Sequence, residues 1–234
     1  IVLLTQTFAS PSTRKLIEKF KSKFNSASHI TYDSISESEA LDAFEERYGI
    51  RGLSNYDFSN TKLIVSIGAD FLGDWQGGGF DCSYTKGRIP DEGKMSRHIQ
   101  FESNMTLSGA NADLRVPLKI NEQKLVLIEI YKSLFGDNKV KLDSNLQLTE
   151  KLKNVVDTTI KDLKSAKSGA VVITGIQEKE FQLLALEINE KIKSIAFKPN
   201  ETILTRSSKN KAFYDMIVRM NEGKVGAIIC AGIN

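Results

Sequence analysis

Apolar positions along this chain follow two spacings in turn. Short runs rich in branched residues, at 1–5, 29–32, 62–67, 97–103, 114–118, 170–174, 202–204 and 227–231, predict strands. Longer stretches repeat their apolar residues every three or four positions and predict helices: one opening at Pro11, then 36–48, 121–135, 149–166, 179–195 and 209–220. Ser10 is placed to cap the first of these and Pro11 to occupy its first turn, while Gly49 suits the end of the second. Residues 68–96 break the rhythm and predict a long loop, and 136–148 an exposed excursion.

Strands alternating with helices predict an α/β, Rossmann-like fold: a mostly parallel sheet with helices on both faces, built from two βα-repeat halves. The halves fall at 1–120, which carries the glycine-rich loop 68–96, and at 169–234, with 121–168 as a helical connection. Two apolar runs end alike. One stops at Gly68-Ala69-Asp70 and the other at Gly232-Ile233-Asn234. Glycine there lets the chain turn over the sheet edge, where open α/β sheets bind ligands. Both runs are expected to be buried strands whose ends mark one functional rim.

With 234 residues and 41% hydrophobic content, the chain can form one large domain or two small lobes. A net charge of +3, from 32 basic and 29 acidic residues, excludes an electrostatic nucleic-acid binder. Lysines recur over 119–167, but acids interleave with them, as on a solvated helical face. Cys82 and Cys230 are too few for an iron–sulfur or structural zinc site. They are expected as buried free thiols, a disulfide remaining open in an oxidising compartment. No stretch is long and apolar enough to span a membrane. The chain begins inside a strand without Met and stops at a strand edge, so it reads as a piece of a larger polypeptide.

The chemistry-bearing patterns are weak one by one. Gly68-x4-Gly73 has Walker spacing, but Asp74 stands where the phosphate-binding Lys belongs. A carboxylate there would repel a phosphate by about 4 kcal/mol at about 4 Å. No GxGxxG follows the first strand. Gly77-Gly78-Gly79 reads as a flexible hinge, and Trp75 beside it either pins the loop or stacks on a ring. Residues 108–113 permit close backbone approach, with Thr106, Ser108 and Asn111 as donors, or form a capped turn. His29 and His98 read as structural hydrogen-bonders. His98 and Glu102 share a strand face but lack metal-ligand spacing.

Four segments together carry a resemblance: Gly68-Ala-Asp-Phe-Leu-Gly-Asp-Trp75, Ser96-Arg-His-Ile-Gln-Phe-Glu102, Met105-Thr-Leu-Ser-Gly-Ala-Asn-Ala-Asp113, and 221–234. They resemble the molybdopterin oxidoreductase superfamily, most of all its branch in bacterial alternative complex III, the large molybdopterin-like iron–sulfur protein of a quinol-oxidising respiratory assembly. In the superfamily, glycine edges cradle pterin-guanine dinucleotides. Mapped here, the resemblance implies a cleft formed by Gly68, Asp70, Thr106, Gly109, Asp113 and Asn234. For the branch it implies a vestigial cleft and a non-catalytic scaffold with no cofactor in this stretch. Iron–sulfur clusters would lie elsewhere in the parent polypeptide. The branch further implies export by a twin-arginine signal outside this stretch, a peripheral place on the periplasmic face of the inner membrane, and partners that include a multihaem cytochrome. Asp70 and Asp74 depart from the superfamily pattern and put uncompensated negative charge where a phosphate would lie. The alternatives are a pterin-binding domain of an active oxidoreductase and a generic Rossmann-like small-molecule binder.

Overall fold

The computed structural model describes residues 1–90, 94–136 and 146–233. The chain runs β1 (Val2–Thr5), α1 (Pro11–Lys23), β2 (Ser28–Thr31), α2 (Ser38–Tyr48), β3 (Leu53–Tyr56), β4 (Leu63–Ile67), α3 (Asp81–Gly87), β5 (Arg97–Glu102), α4 (Leu107–Ala110) and β6 (Leu114–Pro117). It continues through α5 (Ile120–Phe135), α6 (Glu150–Ala166), β7 (Ala170–Thr174), α7 (Lys179–Lys191), β8 (Phe197–Ile203), α8 (Asn210–Asn221) and β9 (Ile228–Ala231). The expected excursion at 136–148 lies for the most part outside the described residues. The architecture is α/β, with mostly parallel sheets and helices on both sides. Two compact units result: Ile1–Leu53 with Ile203–Asn234, and Ser54–Thr202.

In the larger unit, four parallel strands lie in the order β6-β5-β4-β7. Register pairs Val65 with Ile99 and with Val172, so all three project from the same face. That face meets the apolar stripes of α5, α6 and α7, and Leu127, Val156, Leu163 and Ile188 are buried against it. Thr149, expected as the first residue of the helix, caps α6 by accepting from Leu152 N at 3.4 Å. Pro117 sits at the end of β6, an edge strand, where a missing N–H costs no ladder bond. At the opposite edge, Asn189 of α7 takes the place of a further strand. Its Oδ1 accepts from Val172 N at 2.9 Å and its Nδ2 donates to Val172 O at 2.6 Å.

The opposite face of β5 is polar and still buried: His98, Gln100 and Glu102 alternate with Ile99 and Phe101. Aromatic rings close over its start. Phe71 and Tyr84 pack on the His98 ring, and Phe58, Phe80 and Trp75 extend the cluster.

The smaller unit has three parallel strands in the order β2-β1-β9, with Val2 paired to both Ser28 and Ile228. Val2, Leu4, Ile30 and Met216 of α8 form its core. A satellite cluster of Ala40, Leu41, Leu53 and Ile203 sits under α2. Ser10 caps α1 through Thr13 N, and Gly49 closes α2 at φ 73°. Two expectations need correction here. β9 is an exposed edge strand and not a buried one, with Ile229 43% exposed. And β4 and β9 belong to different sheets, so Gly68 and Gly232 do not share a rim, because β9 closes the free edge of β1 while β7 takes the place beside β4.

β3 and β8 pair as a two-stranded ribbon. β3 carries too little branched apolar sequence to announce itself. β8 is longer than the run at 202–204 because an edge position accommodates its Pro199 and charged residues.

Candidate functional site at the carboxyl edge of the four-stranded sheet

β4 and β7 are parallel neighbours, and each ends at a glycine: Gly68, at φ 71°, and Gly175. A Cβ on Gly175 would collide with the Gly68 carbonyl oxygen, so the two turns pass in contact only because Gly175 bears no side chain, while a Cβ on Gly68 would meet Gln123 Oε1. Gly175 is therefore the partner of Gly68. The same signal that singles out Gly68 marks it, since the apolar run 170–174 also stops at a glycine.

Between these turns and the start of α5 lies an open recess of about 380 Å³, lined by Gly68, Glu102, Thr106, Gln123, Gly175 and Glu178 among others. Gln123 holds its amide over the rim by donating to Ser103 Oγ at 2.9 Å and Leu118 O at 3.2 Å. Glu178 is ion-paired with Lys124. Glu102, 2% exposed, forms the floor. Its carboxylate accepts from Arg115 Nε, from the Thr106 hydroxyl at 2.6 Å, from Thr106 N at 3.3 Å and from Gln100 Nε2 at 3.3 Å.

Of the residues expected to form a cleft, four meet at this edge. Gly68 lines the recess. Thr106 bonds Glu102 and caps α4 through Gly109 N at 3.0 Å. Gly109 packs against the Glu102 carboxylate. Asp70 reaches the same short helix, with Oδ1 accepting from Ser108 N at 2.9 Å and from the Ser108 hydroxyl at 2.8 Å. Asp70 is thus hydrogen-bonded rather than bare, by two neutral donors that hold its negative charge in place. Residues 108–113, expected either as a close-approach segment or as a capped turn, begin within the short helix that Thr106 caps. Asp74 is exposed, beside the turn at Trp75–Gly77.

Asp113 does not belong to this edge. β5 and β6 run parallel, and Asp113 precedes β6, so it lies at the amino end of the sheet. There it accepts from His98 N at 2.7 Å and holds Arg88 bidentately at 2.6 and 2.9 Å. Burial pulls its carboxyl upward, but the Arg88 and His98 N–H bonds outweigh it and hold the group below the usual carboxylate range. Asn234 lies outside the described residues.

The glycine-rich loop also differs from expectation. Residues 81–87 form α3, and Trp75 is buried, its indole N–H donating to Thr174 O at 3.2 Å, so it pins the loop. Gly77, Gly78 and Gly79 take φ values of 94°, 74° and 92°. This is a backbone path that only glycine follows three times running, tied by Gly77 N to Asp74 O at 2.8 Å and Gly78 N to Trp75 O at 3.0 Å.

Along the buried face of β5 runs a hydrogen-bonded ladder with one consistent proton assignment. Gln100 Nε2 donates to Ala69 O at 3.2 Å and to Glu102, so its Oε1 must face His98 Nε2, 3.1 Å away. An amide oxygen only accepts, hence His98 carries its proton on Nε2; its Nδ1 lies 3.3 Å from the Tyr84 hydroxyl, which donates to Asn111 O at 3.0 Å. Burial disfavours the imidazolium and pushes the His98 pKa down to about 4. His98 is the structural hydrogen-bonder that its sequence context suggests. His29 is another, with Nε2 2.9 Å from Thr5 Oγ1 and a pKa lowered by burial and by Lys21.

Cys82 and Cys230 are both free and exposed, which corrects the expectation of buried thiols. Among the described residues no three His, Cys, Asp or Glu side chains gather as metal ligands, and no helix is long and apolar enough to cross a membrane. A pterin dinucleotide would need donors for its diphosphate at the sheet edge. The hydroxyls and N–H groups of Thr106 and Ser108, and Arg115 Nε, are already engaged by Glu102 and Asp70, and this edge does not fit such a group.

No protein-family model matches the chain, and no curated protein is significantly similar to it. Solved structures do resemble it. One is a chain of the X-ray structure of the formyltransferase/hydrolase complex (FhcABCD) from Methylorubrum extorquens with methylofuran, at a TM-score of 0.54 and 11% identity, over 97% of this chain and 68% of that one. At that identity the likeness is one of fold.

Proposed function

We propose that this chain is a cofactor-less domain of the molybdopterin-oxidoreductase type, serving as structural scaffold in a membrane-associated quinol:acceptor electron-transfer complex. The observation that carries the proposal is Glu102. A buried carboxylate, fully hydrogen-bonded by the chain's own donors, occupies the strand edge where relatives of the resembled superfamily present donors to phosphate. An anion placed there would find the Thr106 donors and Arg115 Nε already taken by Glu102, and would meet a carboxylate with no cation to spare. The structural neighbour is itself part of a multi-protein complex by its description, which agrees with a role in assembly. On this reading the clusters that move electrons lie elsewhere in the parent polypeptide. The domain sits on the periplasmic face of the inner membrane after twin-arginine export and contacts a multihaem cytochrome among its neighbours.

The test is elemental and pterin analysis of the complete polypeptide purified from its membrane assembly. Molybdenum, tungsten and extractable pterin should all fall below a tenth of the protein concentration, and the polypeptide should co-purify with a haem protein. Stoichiometric pterin or metal would overturn the scaffold reading.

A second reading, a small-molecule binder, draws on the open recess beside Gly68 and Gly175. Thermal melting against a panel of nucleotides and small anions separates the two. A specific ligand raises Tm in step with its concentration, and a scaffold does not respond.

A further inference from the structure

Helix α1 buries little of itself. Of its thirteen residues only Ile17 is buried, although Leu16, Phe20 and Phe24 are spaced to face a core. Leu16 is 67% exposed and Phe24 40% exposed, while Phe20 is half-buried against Phe24 with ring centroids 4.9 Å apart. Beside this apolar ridge runs a second one four residues apart, Lys15, Lys19 and Lys23, all exposed. Positions i, i+4 and i+8 stack along one side of a helix, so the two ridges lie next to each other for about 12 Å. Glu18 is spent on Lys21, at 3.3 Å. Among the described residues, none of Lys15, Lys19 and Lys23 is in an ion pair. Ser22 turns its hydroxyl back onto Lys19 O at 2.9 Å. The side therefore presents positive charge and hydrocarbon, with the short exposed hydroxyls of Ser12 and Thr13 at its amino end.

From this geometry we propose that α1 is a docking face for an anionic lipid surface, with Leu16 and Phe24 seated at the headgroup boundary and Lys15, Lys19 and Lys23 on the phosphates. A plane with an apolar interior and negative headgroups satisfies both ridges at once, and lysines beside an apolar ridge can extend to it while their stems cover hydrocarbon. A groove on an acidic protein would have to set acceptors on three lysines in a row and an apolar strip beside them, whereas a headgroup layer meets both without fixed directions. The inference is independent of the scaffold reading, since it uses α1 alone.

Co-sedimentation of the whole chain with vesicles tests it. Vesicles with about 30 mol% phosphatidylglycerol, roughly the charge density at which polybasic segments bind, should retain the protein at low salt and release it at high salt. Phosphatidylcholine alone should hold it weakly. Replacing all three lysines, Lys15→Gln, Lys19→Gln and Lys23→Gln, should lower partitioning about 100-fold. Leu16→Gln alone should lower it several-fold and serves as the test if the triple variant loses its circular-dichroism spectrum. Absence of vesicle binding, or binding unchanged in these variants, overturns the proposal. So does preference for polyglutamate over vesicles, which would assign the face to an acidic protein, or self-association abolished by Leu16→Gln, which would assign it to a second copy.

Discussion

Gly109 lies so close against Glu102 that any Cβ at position 109 would overlap the carboxylate oxygen Oε1. The backbone of Gly109 is one that alanine adopts freely, since its φ is not positive, so the constraint is one of contact alone. Gly109→Ala must push Glu102 away from Arg115 and Thr106, and a loss of about 2–3 kcal/mol is expected as for overpacking of a tight site. Urea unfolding at unchanged m-value measures it. Gly226→Ala is the control: nothing stands within 4 Å of its Cβ, and its midpoint should move by less than about 0.5 kcal/mol.

Arg115 and Glu102 form a pair in which the acid is buried and the base partly exposed. Arg115→Met therefore strands a buried carboxylate and should cost about 3 kcal/mol, whereas Glu102→Gln leaves a guanidinium that can reach water and should cost less. In the double variant most of the Arg115→Met loss should return. A double-mutant cycle with near-zero coupling would contradict this assignment.

His98 gives the stability a predictable slope with pH. Its folded pKa of about 4 lies below the ordinary 6.5, so between these values the unfolded chain binds a proton that the native state refuses. Stability should then rise with pH from about 4 to 6.5, by on the order of 3 kcal/mol in all, and be flat with respect to this group above 6.5. The depressed Asp113 acts below that window. Unfolding curves from about pH 4 to 7 should show the slope in the wild type and a shallower one in His98→Gln.

Asn189 satisfies both backbone groups of Val172 at the outer edge of β7. Asn189→Ala leaves an N–H and a carbonyl buried without partners, and about 2–4 kcal/mol should be lost. Hydrogen exchange at the Val172 amide is the local readout, and protection there should fall more than at Val65 in the middle of the sheet.

Sequence is most informative where local pattern decides structure. β7 is legible residue for residue, because five small or branched apolar residues lie between a helix end and a glycine. The cap at Ser10 is legible because capping depends on residues two or three positions away. β3 is not, since Leu-Ser-Asn-Tyr becomes a strand only by pairing with β8, some 140 positions on. The site is half legible for the same reason. Asp70 meets Ser108 across 38 positions, and Arg88 takes Asp113 to the other end of the sheet across 25. Both are tertiary contacts without local signature. His98 and Glu102 can be placed on one strand face from the alternation alone, but nothing local marks the amide of Gln100 as the group that joins them.

The two-sidedness of β5 has a consequence for how the chain finds its native pairing. Sliding β5 by a single residue against β4 would turn His98, Gln100 and Glu102 toward Leu127 and Ile130, and drive Ile99 and Phe101 in among hydrogen-bonding groups. Every near-miss alignment is thereby penalised on both sides at once. A strand buried on both faces such as β7, Ala-Val-Val-Ile-Thr, has no such protection, and during folding it must borrow its alignment from the neighbour that does.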